Sequence, residues 1–123
     1  MKTATLLLTT TLPYPPTVNL LWRHSPHGVY LTPKGKAYKD SVRARVRLAG
    51  RNAAYTGRAS VEILVYPPDR RRRDIDNILK IVFDSLTYSG VWKDDCQVDE
   101  LTVLRREPIS GGKIELTVSA WEG

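Results

Sequence analysis

Between Ile75 and Leu86 the residues Ile75, Ile78, Leu79, Val82, Phe83 and Leu86 recur three and four apart, and Gly90 follows as a stop. That is the spacing of one apolar face on an α-helix. A chain of 123 residues has room for one core, so this face has to be buried in it, against a surface made elsewhere in the chain. Ala59 to Tyr66 supplies such a surface. Val61, Ile63 and Val65 alternate along it as a half-buried β-strand requires, and Pro67-Pro68 end it.

The remaining segments can be placed around this pair. Thr5 to Leu12 reads as a strand that stops at Pro13-Tyr14-Pro15-Pro16, whose prolines cannot donate to a ladder. An irregular stretch from Thr17 to Gly28 and a short strand at Val29 to Leu31 lead to Thr32-Pro33, an N-cap with proline in the first turn. A helix is expected from about Lys34 to Leu48, stopped by Gly50. Ala37, Tyr38, Ser41, Val42, Arg45, Val46 and Ala49 lie on its inner face, and Lys36, Lys39, Arg43 and Arg47 on its outer face. Two further strands, about Gln97 to Arg106 and Lys113 to Trp121, flank a hairpin-like turn at Pro108-Ile109-Ser110-Gly111-Gly112. The order β, β, α, β, α, β, β predicts one α+β domain over residues 1–123, with a mixed sheet and two main helices packed on it.

Composition narrows the function classes. With 41% hydrophobic and 26% charged residues and no apolar run near 18 residues, the chain reads as an ordinary globular protein without a membrane helix. The apolar Thr5 to Leu8 segment has only Lys2 before it and prolines soon after, which is not the pattern of a signal peptide. Cys96 is the single cysteine, so no internal disulfide forms, as fits the cytoplasm. A net charge of +6 favours a polyanionic partner such as nucleic acid. The arginines Arg70, Arg71, Arg72 and Arg73 run straight into Asp74 and Asp76, so the strongest positive charge abuts negative charge.

That juxtaposition carries chemistry. If Ile75, Ile78 and Leu79 face the core, Asp76 and Lys80 share another face of the same helix, and Asp74 lies at or just before its first turn. Two carboxylates held together suit a hard cation such as Mg²⁺, which keeps several waters and takes further ligands from a phosphate. Such an ion activates water and neutralises charge on a phosphorane-like centre, the two needs of phosphodiester hydrolysis. Lys80 could stabilise that centre, orient the water or moderate carboxylate repulsion. The same residues also fit plain helix chemistry, with Asp74 as N-cap and Asp76–Lys80 as a surface ion pair. A second acidic pair, Asp94-Asp95, falls in the loop after Gly90-Val91-Trp92-Lys93, and pattern alone does not bring it to the first. His24 and His27 lack zinc spacing, Trp92 and Trp121 read as core or interface, and Cys96 as a small buried side chain. Trp22 could stack on an unpaired base.

Four segments together resemble the RusA family of Holliday junction resolvases of bacteria, phages and prophages. They are Leu12 to Asn19 with Trp22-Arg23, Pro68 to Asn77, Lys80, and Val91 to Val98. The resemblance implies a metal-dependent, structure-selective endodeoxyribonuclease that resolves four-way junctions by paired symmetric nicks. Asp74, Asp76 and Asp95 would hold Mg²⁺, with Mn²⁺ as a substitute, and Lys80 would be the accompanying catalytic lysine. It also implies a homodimer, since two nicks in strands of like polarity need two related sites. Thr17 and Leu21-Trp22 depart from the family pattern at positions that bear on DNA contacts. Arg70 to Arg73, Arg23, Lys36, Lys39 and Arg43 are the expected phosphate contacts. A branched-DNA-binding module without catalysis, or a metal nuclease of other preference, would share much of this sequence.

Overall fold

The computed structural model describes residues 5–51 and 53–122. The ends of the expected domain, residues 1–4 and 123, lie outside them, as does Asn52. The chain runs β1 (Leu6–Leu12), α1 (Val18–Leu21), β2 (Trp22–Ser25), β3 (Gly28–Leu31), α2 (Pro33–Leu48), β4 (Ala59–Tyr66), α3 (Leu79–Tyr88), β5 (Val98–Arg105) and β6 (Lys113–Ala120). Short 3₁₀ turns at Ile75–Ile78 and Asp95–Gln97 bracket α3.

The fold is α+β with a mixed sheet. Its order is β1-β6-β4-β5, with β4 parallel to β5 and the other pairs antiparallel. Ala59, Val61, Ile63 and Val65 of β4 lie beside Ile114, Leu116 and Val118 of β6, all buried, and Leu8 and Leu12 extend this face across β1. Tyr38, Val42 and Val46 of α2 and Ile81, Val82 and Leu86 of α3 join the same core. Each fully buried aliphatic side chain of this kind contributes about 1.5–3 kcal/mol. The 3.6-residue stripe of α3 and the alternation of β4 therefore meet as their patterns demand.

Several expectations need correction. The Thr17–Gly28 stretch is not irregular, since it holds α1 and β2, and β2 pairs with β3 as a separate hairpin. β5 and β6 are not a hairpin, because β4 lies between them and the Pro108–Gly112 turn crosses its end. There Ile109 N–H donates to Pro67 O at 2.9 Å, and Gly111 and Gly112 adopt φ of 79° and 67°. The cause is non-local: the α3 crossover lays β5 parallel to β4, and β6 fills the other side.

On α2 the inner face is Gly35, Tyr38, Val42 and Val46, a narrower stripe than expected, and Ala37, Ser41, Arg45 and Ala49 are exposed. A stripe with steps of three and then four residues suffices where α2 rests on β1 and α3. Its start is tied down by Thr32, whose hydroxyl accepts from Gly35 N–H and donates to Leu20 O at 2.6 Å. Tyr38 Oη donates to Pro13 O at 2.7 Å, and burial pushes that phenol well above its usual range.

Candidate functional site

Because α3 buries Ile81, Val82, Ser85 and Leu86, its opposite side presents Lys80, Asp84 and Tyr88, with Asp76 and Asn77 in the 3₁₀ turn before it. This strip is what the fold offers to a ligand, and several concavities lie along it. The expected single helix from Ile75 is in fact a 3₁₀ turn that passes into α-helix at Leu79. Ile75, at the first position of that turn, is 37% exposed rather than core, while Ile78 at its end is buried.

At the entrance, Asp74 stands at the N-cap position but its side chain makes no capping hydrogen bond. It borders a concavity of about 230 Å³ lined also by Tyr14, Arg70, Arg71, Arg73, Arg105 and Arg106. Arg73 Nη1 donates to Asp69 Oδ1 at 2.6 Å, and its guanidinium lies 6.0 Å from the Tyr14 ring centre. Arg71 N–H also donates to Asp69, and these donors hold the Asp69 carboxyl down at about 2. Arg105 Nη2 donates to Arg73 O at 2.6 Å. Sequence pattern did not point to Arg105 or Arg106. They stand at the end of β5 and reach the arginine run only through the parallel β4–β5 pairing, in which Val65 lies beside Arg105. Arg72 is exposed.

Midway, Lys80 borders a concavity of about 780 Å³ with Trp22, Arg23, Asn77 and the hairpin residues His24 and Val29. Lys80 Nζ lies 4.5 Å from the centre of the Trp22 ring and donates to Asp84 Oδ2 at 3.5 Å. Among the described residues its ion pair is thus with Asp84, not Asp76. Arg23 Nη1 donates to Asn19 O at 3.3 Å.

At the far end, Asp84, Thr87, Tyr88, Lys39, Asp94 and Asp95 surround a third concavity. The loop carrying Asp95 returns because α3 ends in a Schellman turn: Gly90, at φ 78°, donates to Thr87 O and Val91 to Leu86 O. Trp92, fully buried, then packs edge-on to Phe83 and donates from Nε1 to Thr87 Oγ1 at 2.7 Å. Buried Gln97 fastens the turn, its Oε1 accepting from Lys93 and Asp94 N–H and its Nε2 donating to Tyr55 O and Gly57 O. Arg58 adds a bond to Cys96 O at 2.8 Å while pairing with Asp99. Cys96 itself is exposed, not buried as expected, because the 3₁₀ turn projects it outward.

The two loop carboxylates have different tasks. Asp94 accepts from Cys96 N–H at 2.9 Å as a cap, which keeps its carboxyl below its usual range. Asp95 is pushed the other way, by desolvation first and then by Asp94 and Asp84, with Lys80 opposing. Asp95 therefore sits in a field that a cation would relieve. Asp84 is the acidic residue that pattern missed, since an i+4 partner of a helical lysine resembles an ordinary surface pair.

Lys36 and Lys39 border a further depression beside Asp40 and Tyr88, and Arg43 Nη1 donates to Tyr88 Oη at 3.4 Å. Tyr88 Oη in turn donates to Asp40 Oδ1 at 3.0 Å. The basic face of α2 thus flanks the acidic end of the strip. Among the described residues no three carboxylate, histidine or cysteine side chains form a ready-made metal cage. Asp74 and Asp76 stand in and just before the 3₁₀ turn that leads into α3, and Asp95 lies beside Asp84 with Lys80 nearby. The donors are all exposed oxygens, a set that fits Mg²⁺ or Mn²⁺ rather than zinc.

Comparison with known proteins bears on the same segments. The family model described as endodeoxyribonuclease RusA matches residues 13–119. A protein of Escherichia coli (strain K12) named crossover junction endodeoxyribonuclease RusA is 38% identical over 109 residues, 89% of this chain and 91% of the relative. The proteins of the same name from Enterobacteria phages 82 and HK97 are 37% and 35% identical, over 89% and 90% of this chain and 91% and 92% of their own lengths. The match takes in both proline segments, the arginine run, α3 and the Asp95 turn, and so this chain belongs to the RusA endodeoxyribonuclease family.

Proposed function

We propose that this protein is a crossover junction endodeoxyribonuclease that resolves Holliday junctions, in the bacterial cytoplasm, by paired nicks requiring Mg²⁺ or Mn²⁺. The observation that supports this best is the layout of the exposed side of α3, where an arginine-lined concavity at one end and acidic residues along the rest flank Lys80. Its relatives carry that activity in their names.

Each group has a task that follows from its chemistry. Arg70, Arg71, Arg72, Arg73 and Arg23, with Lys36, Lys39 and Arg43, contact phosphates and set the register of the strand without reading bases. Arg105 and Arg106 belong to that set. Asp74, Asp76 and Asp95 would hold the metal, a hard cation that takes oxygen ligands and keeps waters of its own. A bound Mg²⁺ supplies charge neutralisation at the phosphorus and a water of lowered pKa. Lys80 presents its ammonium to a non-bridging oxygen of the scissile phosphate, where negative charge grows in the transition state. Asp94, engaged as a cap, stays outside the ligand set.

Two symmetric nicks demand two sites related by a two-fold axis, so the active species is a homodimer. The test is cleavage of a synthetic four-way junction beside linear duplex and flap DNA, with Mg²⁺, with EDTA and with Asp76→Asn. Paired nicks in the junction alone, lost with EDTA or the substitution while gel-shift binding persists, are the expected result. Binding without cutting under every metal would leave a junction-binding module, and equal cutting of linear duplex a nuclease of other preference.

A further inference from the structure

We infer that Trp22 and Asp84 are positioning residues that hold the Lys80 ammonium at a fixed point over the strip. The inference rests on the reading of Lys80 as the residue that meets the scissile phosphate.

An exposed lysine has four rotatable bonds and sweeps a wide volume, which is poor placement for a group that must meet one oxygen of a phosphodiester. The side chain of Lys80 is 71% exposed, yet its ammonium is met from two directions. The Trp22 ring lies 4.5 Å from Nζ and Asp84 Oδ2 lies at 3.5 Å. Trp has the strongest ring quadrupole of the aromatic residues and is the best face for a cation.

Helix stability does not account for this pairing. In an i, i+4 pair the favourable order has the acid on the N-terminal side, and here Lys80 precedes Asp84. Nor does helix spacing account for Trp22, which comes from a different element, the first residue of β2. Its ring is half-buried and packed against the core, and its backbone is paired with Leu31, so it is a rigid floor rather than a mobile neighbour. Asp84 faces Asp95 as well as Lys80. Its charge, matched to the ammonium, lets the lysine stand near the Asp95 end without collapsing onto that carboxylate. With one face given to Lys80, Trp22 acts here as a support and not as a base-stacking platform.

The experiment is a double-mutant cycle on single-turnover nicking of a four-way junction in Mg²⁺, with junction binding followed by gel shift in EDTA. Trp22→Leu and Asp84→Asn are each expected to slow nicking about tenfold while leaving junction affinity within about twofold. Trp22→Phe, which keeps an aromatic face, should recover most of the rate. In a Lys80→Ala background neither substitution should slow nicking further, because the group they place is gone. Equal losses with and without Lys80 would overturn the inference and mark the two residues as merely structural. Weakened binding with unchanged nicking at saturation would overturn it in favour of a DNA contact at Trp22. A wild-type protein that nicks no branched substrate would remove the reading of Lys80 beneath it, an outcome distinct from additive losses in an active enzyme. Asp84→Asn, on the exposed side of α3, keeps the cycle informative if Trp22→Leu fails to fold.

Discussion

The Asp69 carboxylate takes a bond from the Arg73 guanidinium and another from the Arg71 amide, which hold it at about 2. A carboxyl depressed on folding contributes stability that is complete above its unfolded value, near 4, and fades as pH falls through about 2. The Tm of wild type should therefore exceed that of Asp69→Asn at pH 5, and the two should converge by pH 2; a gap that persists at pH 2 would show that the pair is not the source. Arg105 lends itself to a second measurement. If it meets a phosphate, Arg105→Ala should lower the slope of log K against log[salt] for junction binding by about 1. An unchanged slope would leave Arg105 as a support for Arg73 alone. Residues of this kind divide by how local their signal is. The arginine run and the Asp74, Asp76 and Lys80 spacing were legible because they lie within one stretch of chain. Arg105 and the contact of Lys80 with Trp22 were not, because each depends on which strand lies alongside, and Asp84 resembles an ordinary i+4 surface partner.

Elements show the same division. The α3 stripe and the β4 alternation declare themselves, since each satisfies its own period over many residues. The four-residue α1 and β2 do not, because so short a run shows no full period, and their shape comes from Thr32 and α2 packing against them. Strand order is equally invisible, as the β5–β6 connection shows. The Asp95 turn is an element whose placement can be tested. Gln97→Leu leaves two N–H groups and two carbonyls without their side-chain partner. At about 1–3 kcal/mol for each buried unsatisfied group, offset by relaxation and water, a net loss of about 3 kcal/mol in urea unfolding is expected, with slower nicking. Gly90→Ala meets no atom within 4 Å but forces a left-handed backbone on alanine. It should lose about 1–2 kcal/mol by the same measurement.

For the whole molecule, the proposed dimer yields a prediction about strand chemistry. A hetero-dimer of wild type and Asp76→Asn, isolated with two different affinity tags, should nick one strand of a junction and stall there. Denaturing gels with each strand end-labelled in turn would read this out. Coordinated double nicking by such a mixture would mean that one site serves both strands. The paired site is presented by the same helix that anchors the core, since α3 gives one side to Ile81, Val82 and Leu86 and the other to Lys80 and Asp84. Such a helix cannot change length. One residue inserted within it turns everything beyond by about 100°, carrying Asp84 inward and an aliphatic side chain out to the DNA. The Pro108–Gly112 crossing, whose residues are mostly exposed, bears no such phase. Insertions should accumulate there while the distance from Lys80 to Asp95 stays constant, so in a library of single-residue insertions the survivors would trace the outline of the site.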